Sequence, residues 1–108
     1  MHGLAEHAGR YEALAARLNA AGIDVVAIDL RCHGRSPGKR AWVERFDDYL
    51  TDADALVSAA ERDDAPLFLM GPCMGSTIAA LYAIKRAPAH VRTLAALVLS
   101  SPALAPGR

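Results

Sequence analysis

Leu67-Phe68-Leu69-Met70-Gly71-Pro72-Cys73-Met74-Gly75-Ser76 decides how this chain is read. The first four residues are a short apolar run of the kind that forms a buried strand, and Ser76 to Lys85 has the pattern of a helix. Between them, Gly71 and Gly75 bracket Cys73 in a Gly-x-nucleophile-x-Gly segment. At a strand-to-helix junction, that is the pattern of a nucleophile elbow. The outer glycines are needed because the turn leaves no room for side chains beside its central residue. That residue is forced into a strained backbone conformation, which lifts its side chain off the strand end and over the helix N-terminus. The spacing marks Cys73 as the candidate catalytic residue, with Gly71 and Gly75 as the elbow glycines.

On either side the chain alternates between helical and strand patterns. Tyr11, Leu14, Ala15 and Leu18 recur at helical spacing, and Gly22 follows as a C-terminal stop. Val25-Val26-Ala27-Ile28 is an unbroken apolar run, as expected of a parallel strand covered on both faces. Arg31 to Arg40 contains Gly34, Pro37 and Gly38 and reads as a loop. Phe46, Leu50, Ala53, Val57 and Ala60 mark a second amphipathic helix. The acids from Asp47 to Asp54 read as its solvated face, with favourable charge at the N-terminal end. Ile78 to Ile84 is apolar nearly all round, so the helix after the elbow should be buried. Leu94 to Leu99 makes a further strand, ending at Ser100-Ser101-Pro102. The order helix, strand, helix, strand, helix, strand predicts an α/β fold, with a parallel sheet of about three strands and helices on both faces.

Composition narrows the class. The 108 residues make at most one domain, spanning 1–108, and hydrophobic residues are 53% of the chain, which suits a packed core rather than disorder. Lys plus Arg and Asp plus Glu are both 12, so formal net charge is zero. Neither a nucleic-acid face nor a basic block for an anionic membrane is expected from that balance. No apolar run approaches the length of a membrane span, and the N-terminus lacks a signal-peptide pattern. Cys32 and Cys73 stand in unlike contexts and do not read as a disulfide framework, so a reducing cytoplasm is the expected location. No cofactor is expected. A zinc site from His2, His7, Cys32, His33 and Cys73 lacks a recognised ligand spacing. Gly34 to Lys39 is a poor phosphate loop, because its glycines are too close and Pro37 removes an N–H.

Four segments together resemble the α/β-hydrolase superfamily, in particular its monoacylglycerol lipase/lysophospholipase type, the serine aminopeptidase S33-like group. They are His2-Gly3-Leu4-Ala5-Glu6-His7-Ala8-Gly9-Arg10-Tyr11, Asp29-Leu30-Arg31-Cys32-His33-Gly34-Arg35-Ser36, Phe46-Asp47-Asp48-Tyr49, and the elbow with the Leu97-to-Pro102 strand end. The resemblance implies hydrolysis of a carboxylic ester, commonly of a glycerolipid or lysophospholipid. It puts Cys73 at the nucleophile position, and the backbone N–H groups of Met74 and Leu4 at the oxyanion hole. His2 and His33 fall at loop positions that are structural in relatives, His7 in the oxyanion loop and His90 past the elbow helix.

The chain also departs from the family pattern. Cys73 replaces serine, a substitution that the dienelactone hydrolase branch of the fold shares. Pro72 replaces histidine and removes a backbone donor. Cys32 replaces a glycine, so a positive φ there would be costly. The strand expected before His2, the cap, and the later strands that carry acid and histidine have no counterpart here. The chain thus reads as a partial domain, and little esterase turnover is expected from it alone. The missing strand would lie between the Val25 and Leu67 strands, so either a gap at the sheet centre or direct pairing of those two is expected. Expected partners are an acyl ester or lipid substrate and, as the alternative, another chain (a second copy or a complementing one) pairing at a sheet edge. Trp42 and Tyr49 are expected in loop and core packing rather than in an acyl pocket.

Overall fold

The computed structural model describes residues 1–4, 6–86 and 94–101; Ala5, His90 and Pro102 lie outside them. A 3₁₀ turn, Ala8–Tyr11, leads into α1, Glu12–Ala20, followed by α2, Asp48–Ala60, β1, Phe68–Pro72, α3, Met74–Lys85, and β2, Ala96–Ser100. α1 ends as its sequence dictates. Gly22 adopts φ +85°, the Gly22 N–H reaches the Asn19 carbonyl at 3.0 Å, and the Ile23 N–H reaches Leu18 at 2.9 Å. That is the Schellman closure a glycine permits.

β1 and β2 pair in parallel, with Phe68 opposite Ala96 and Pro72 opposite Ser100. The Ala95 N–H donates to Leu67 O and the Cys73 N–H to Ser100 O, each at 2.8 Å. Alternate residues of a strand point their backbone groups to the same side, so Leu67, Leu69, Gly71 and Cys73 face β2 while Met70 and Pro72 face the other edge. Pro72 therefore costs no ladder bond to β2: its missing donor lies on the edge without a strand partner.

The α/β class holds, but two strands rather than about three form the ladder among the described residues. Residues 23–30 run on without ladder bonds. Of the two expected outcomes the gap is the one found, and Met1–His2 lies in it. The Met1 amino group donates to Met70 O at 2.5 Å, and the Leu30 N–H donates to His2 Nε2 at 2.9 Å. With no partner strand, Val25 and Val26 stay exposed.

The core follows from the helix stripes. Tyr49, Leu50, Ala53, Leu56 and Val57 fall on one face of α2, and Ile78, Ala79 and Tyr82 on one face of α3. Together with Leu30 and Leu69 they make a single cluster. Burying each large side chain is worth about 1.5–3 kcal/mol. These helices cover the Leu69 face of β1, while Phe68 and Met70 on the opposite face are open. α1 carries no buried residue and rests against the 3₁₀ turn. Helices are thus packed on one face rather than two.

Four further expectations are corrected. α3 starts at Met74, two residues earlier than its apolar pattern, because the elbow turn itself supplies the first turn. It is not buried all round, since Ile84 is 73% exposed. The acids of α2 are not simply solvated. Asp52 takes the Arg31 N–H at 3.0 Å and its guanidinium at 2.9 Å, Asp54 pairs with Arg86, and Asp47 pairs with Lys85 at 3.3 Å. They tie the helix to the preceding loop and to α3. Tyr49 is core as expected, but Trp42 is 48% exposed.

Candidate active site

Cys73 caps α3 with φ +49° and ψ −119°, directly after the last residue of β1. The side chain is exposed. Positive φ in a non-glycine residue is strained, and here the close packing of the bend enforces it. A Cβ at Gly71 would strike the carbonyl group of Gly75, and one at Gly75 would strike the carbonyl oxygens of Met1 and His2. Both clashes are with backbone, which cannot move aside as a flexible side chain can. The glycine spacing thus has a steric cause at both positions.

A hydroxyl that the sequence reading passed over holds the bend to the sheet. Ser76 is fully buried. Its Oγ donates to Gly71 O, lies 3.1 Å from Ser100 O, and accepts the Ser100 N–H at 2.8 Å. One side chain thereby fastens the first turn of α3 to the ends of both strands. The signal for it in sequence was only a serine inside an apolar helix, which has many readings.

Gly3 approaches the bend closely enough that a Cβ built on it would stand 3.6 Å from Cys73 Cβ. Its N–H donates to Glu6 Oε2 at 2.8 Å, and the same oxygen accepts the Tyr11 hydroxyl at 2.7 Å. Those two donors hold the Glu6 carboxyl below its usual range, the hydroxyl contributing more. Burial and the Glu6 contact push Tyr11 up to about 12. Glu6 and Tyr11 therefore brace the loop that carries Gly3 and Leu4. Both lie in the segment that carries the resemblance, but nothing in the sequence marks them as braces, because a Glu and a Tyr five apart look like ordinary surface residues. Leu4 is 56% exposed. The Met74 N–H lies in the first turn of α3, where no helical carbonyl precedes it.

Each buried histidine bonds backbone through at least one ring nitrogen. His2 Nε2 accepts from Leu30, which assigns the proton to Nδ1, 2.8 Å from Gly3 O. Burial lowers its pKa, partly opposed by the Gly3 carbonyl. His33 Nδ1 lies 2.9 Å from Arg31 O, and its ring sits 5.0 Å from that of His2. His33 Nε2 is buried without a hydrogen-bond partner among the described residues, and His7 is exposed at the start of the 3₁₀ turn.

Asp29 joins two loops. Its carboxylate accepts the N–H groups of Ala8 and Arg35, at 2.8 and 2.9 Å, which hold its pKa down. The Ser36 hydroxyl donates to its carbonyl at 2.6 Å. In the 34–38 loop it is carbonyls that converge, those of Gly34, Ser36 and Gly38, on the guanidinium of Arg40. A phosphate cradle needs converging N–H groups instead.

The profile of the family described as serine aminopeptidase, S33, matches residues 1–108. The chain belongs to that family. It is 42% identical over 105 residues to a monoacylglycerol lipase of Mycolicibacterium smegmatis, covering 95% of this chain and 36% of that protein. It is 41% identical over 103 residues to human monoglyceride lipase, covering 94% and 33%. The crystal structure of a Paleococcus ferrophilus monoacylglycerol lipase superposes with a TM-score of 0.80 at 37% identity, covering 97% of this chain and 38% of that one. The S33 chain described here thus spans about a third of the length of the relatives it matches, and the α/β-hydrolase fold is shared with them. No helix among the described residues is long and apolar enough to cross a membrane.

Proposed function

We propose that residues 1–108 form part of an α/β-hydrolase domain that cleaves carboxylic esters of the glycerolipid type, with Cys73 as nucleophile. The observation that carries this is the positive φ of Cys73 at the β1–α3 bend, with Gly3 so placed that a Cβ built on it would lie 3.6 Å from that of Cys73. With its proton lost to water, the Cys73 sulfur attacks the acyl carbon, and the oxyanion that forms is held by the N–H groups of Met74 and Leu4. The oxyanion collapses, the C–O bond breaks, and the departing oxygen takes a proton from water to leave as the alcohol, so that a thioester remains on Cys73. Deacylation needs a base to activate water, and His2 spends both ring nitrogens on backbone, while His33 spends one and is 2% exposed. The acid and histidine of the reaction belong to the later strands of the fold, outside 1–108, so this chain by itself acylates but does not turn over. The relatives named as monoacylglycerol lipases supply the substrate class. A cytoplasmic location is part of the same reading.

The test is the release of nitrophenol from a short-chain nitrophenyl ester. The expected result is a burst of about one equivalent and then a stall, with the acyl group on Cys73 by mass spectrometry and no burst in Cys73→Ala. Sustained turnover, or an unchanged burst in Cys73→Ala, overturns the assignment.

A second reading has one observation in its favour: the open face of β1, where Phe68 is 55% and Met70 38% exposed. On this reading the chain acts by packing that face against another chain, either a second copy or one that completes the sheet.

A further inference from the structure

A net charge of zero conceals a segregated distribution. Residues 31–45 contain Arg31, Arg35, Lys39, Arg40 and Arg45 against the single acid Glu44. Arg31 is neutralised by Asp52 and Asp48. Arg40 is held by carbonyls, which leave its charge uncompensated. Arg35, Lys39 and Arg45 are exposed, and none of the ion pairs among the described residues involves them. Between these cations stands Trp42, the one tryptophan of the chain, 48% exposed. Its backbone N–H donates to Lys39 O at 3.2 Å, so the indole and the ammonium leave the same turn. Phe46, 37% exposed and edge-on to Tyr49 at 5.4 Å, follows four residues later.

This loop is fixed beside the bend. Asp29 holds its Arg35 and Ser36 groups, and His2 bonds Leu30, at the loop's base, to the segment whose Gly3 lies near Cys73. We propose that the loop 31–46 is a contact surface for an anionic lipid interface. Exposed indole and phenyl rings partition to the headgroup boundary, and cations around them are attracted to acidic headgroups. A nucleic-acid partner would need a longer basic stripe or face than this short segment offers. The inference rests on charge and exposure rather than ester chemistry, so its failure would leave the reading of Cys73 intact.

Because Trp42 is the only tryptophan, emission excited selectively in tryptophan reports this loop alone. Titration with phosphatidylcholine vesicles containing phosphatidylglycerol should shift the emission to the blue, with quenching by brominated acyl chains. Added salt should weaken both effects. Arg35→Glu/Lys39→Glu should reduce vesicle affinity on the order of tenfold or more, and Arg35→Gln/Lys39→Gln by a smaller factor. Arg17→Glu, an equal kind of change on exposed α1, should leave affinity unchanged. An equal response to pure phosphatidylcholine, an equal loss in Arg17→Glu, or a DNA duplex binding as tightly as the acidic vesicles would overturn the proposal.

Discussion

Cys32 and Cys73 both adopt positive φ, +62° and +49°, for different reasons. At Cys73 the bend demands it and two flanking glycines make it possible. At Cys32 the loop demands it: the Cys32 N–H bonds Pro37 O at 3.1 Å, and Cys32 O accepts from Ala41 at 2.7 Å. The Asp29-to-Ser36 segment carried that cost in sequence, since glycine is the residue the family pattern puts at position 32. Relief of the strain defines a prediction. Cys32→Gly should stabilise the chain by about 1 kcal/mol, a rise in Tm of about 5 °C, after a small loss from the buried sulfur. An unchanged or lower Tm would show that the sulfur contact outweighs the strain. The elbow glycines were the most legible residues of the candidate site, because their constraint is local backbone sterics. Glu6, Tyr11 and Asp29 were not legible as braces. Their roles depend on which backbone N–H groups and hydroxyls the fold brings to them.

At the scale of elements, α2, α3 and β1 were readable from period and punctuation, with boundaries off by one or two residues. The Val25 run illustrates what a local pattern cannot decide. Its β-branched residues favour an extended chain, yet a ladder needs a neighbour, and the gap beside it is filled by Met1–His2 rather than by a strand. His2 is the connector across that gap, and its chemistry gives a pH dependence. Protonated imidazole cannot accept the Leu30 N–H, and burial depresses the His2 pKa. A group depressed on folding contributes its full stability above its unfolded value, about 6.5 here, and loses it as pH falls through the folded value. The urea midpoint should therefore begin to fall below about pH 6.5, before carboxylates titrate, and His2→Gln should flatten that part of the profile. A midpoint level down to the carboxylate range in the unsubstituted chain would refute the role.

Over the whole molecule, the α/β class was legible from alternation, whereas the one-sided packing was not. Alternation specifies a sheet between helices, but the covering of each face depends on how many strands pair. With two in the ladder, Val25, Val26, Phe68, Met70, Val98 and Leu99 are all more than a third exposed. Apolar surface of this kind drives association. Sedimentation should show reversible self-association that rises with concentration, and Met70→Lys, which places a charge on the open face of β1, should reduce it. A monomer at all concentrations would remove the support for the second reading.

The account turns on convergence: two segments seventy residues apart in sequence must meet at one thiol. Gly3→Cys tests this directly. The Cβ built there lies 3.6 Å from Cys73 Cβ, within the range of about 3.5–4.5 Å for a disulfide, and the nearest obstruction is the movable end of Glu6. Under mild oxidation, peptide mapping should find the introduced thiol bonded to Cys73 with Cys32 left free. A bond to Cys32, or no intramolecular disulfide at all, would contradict the geometry on which the functional reading stands.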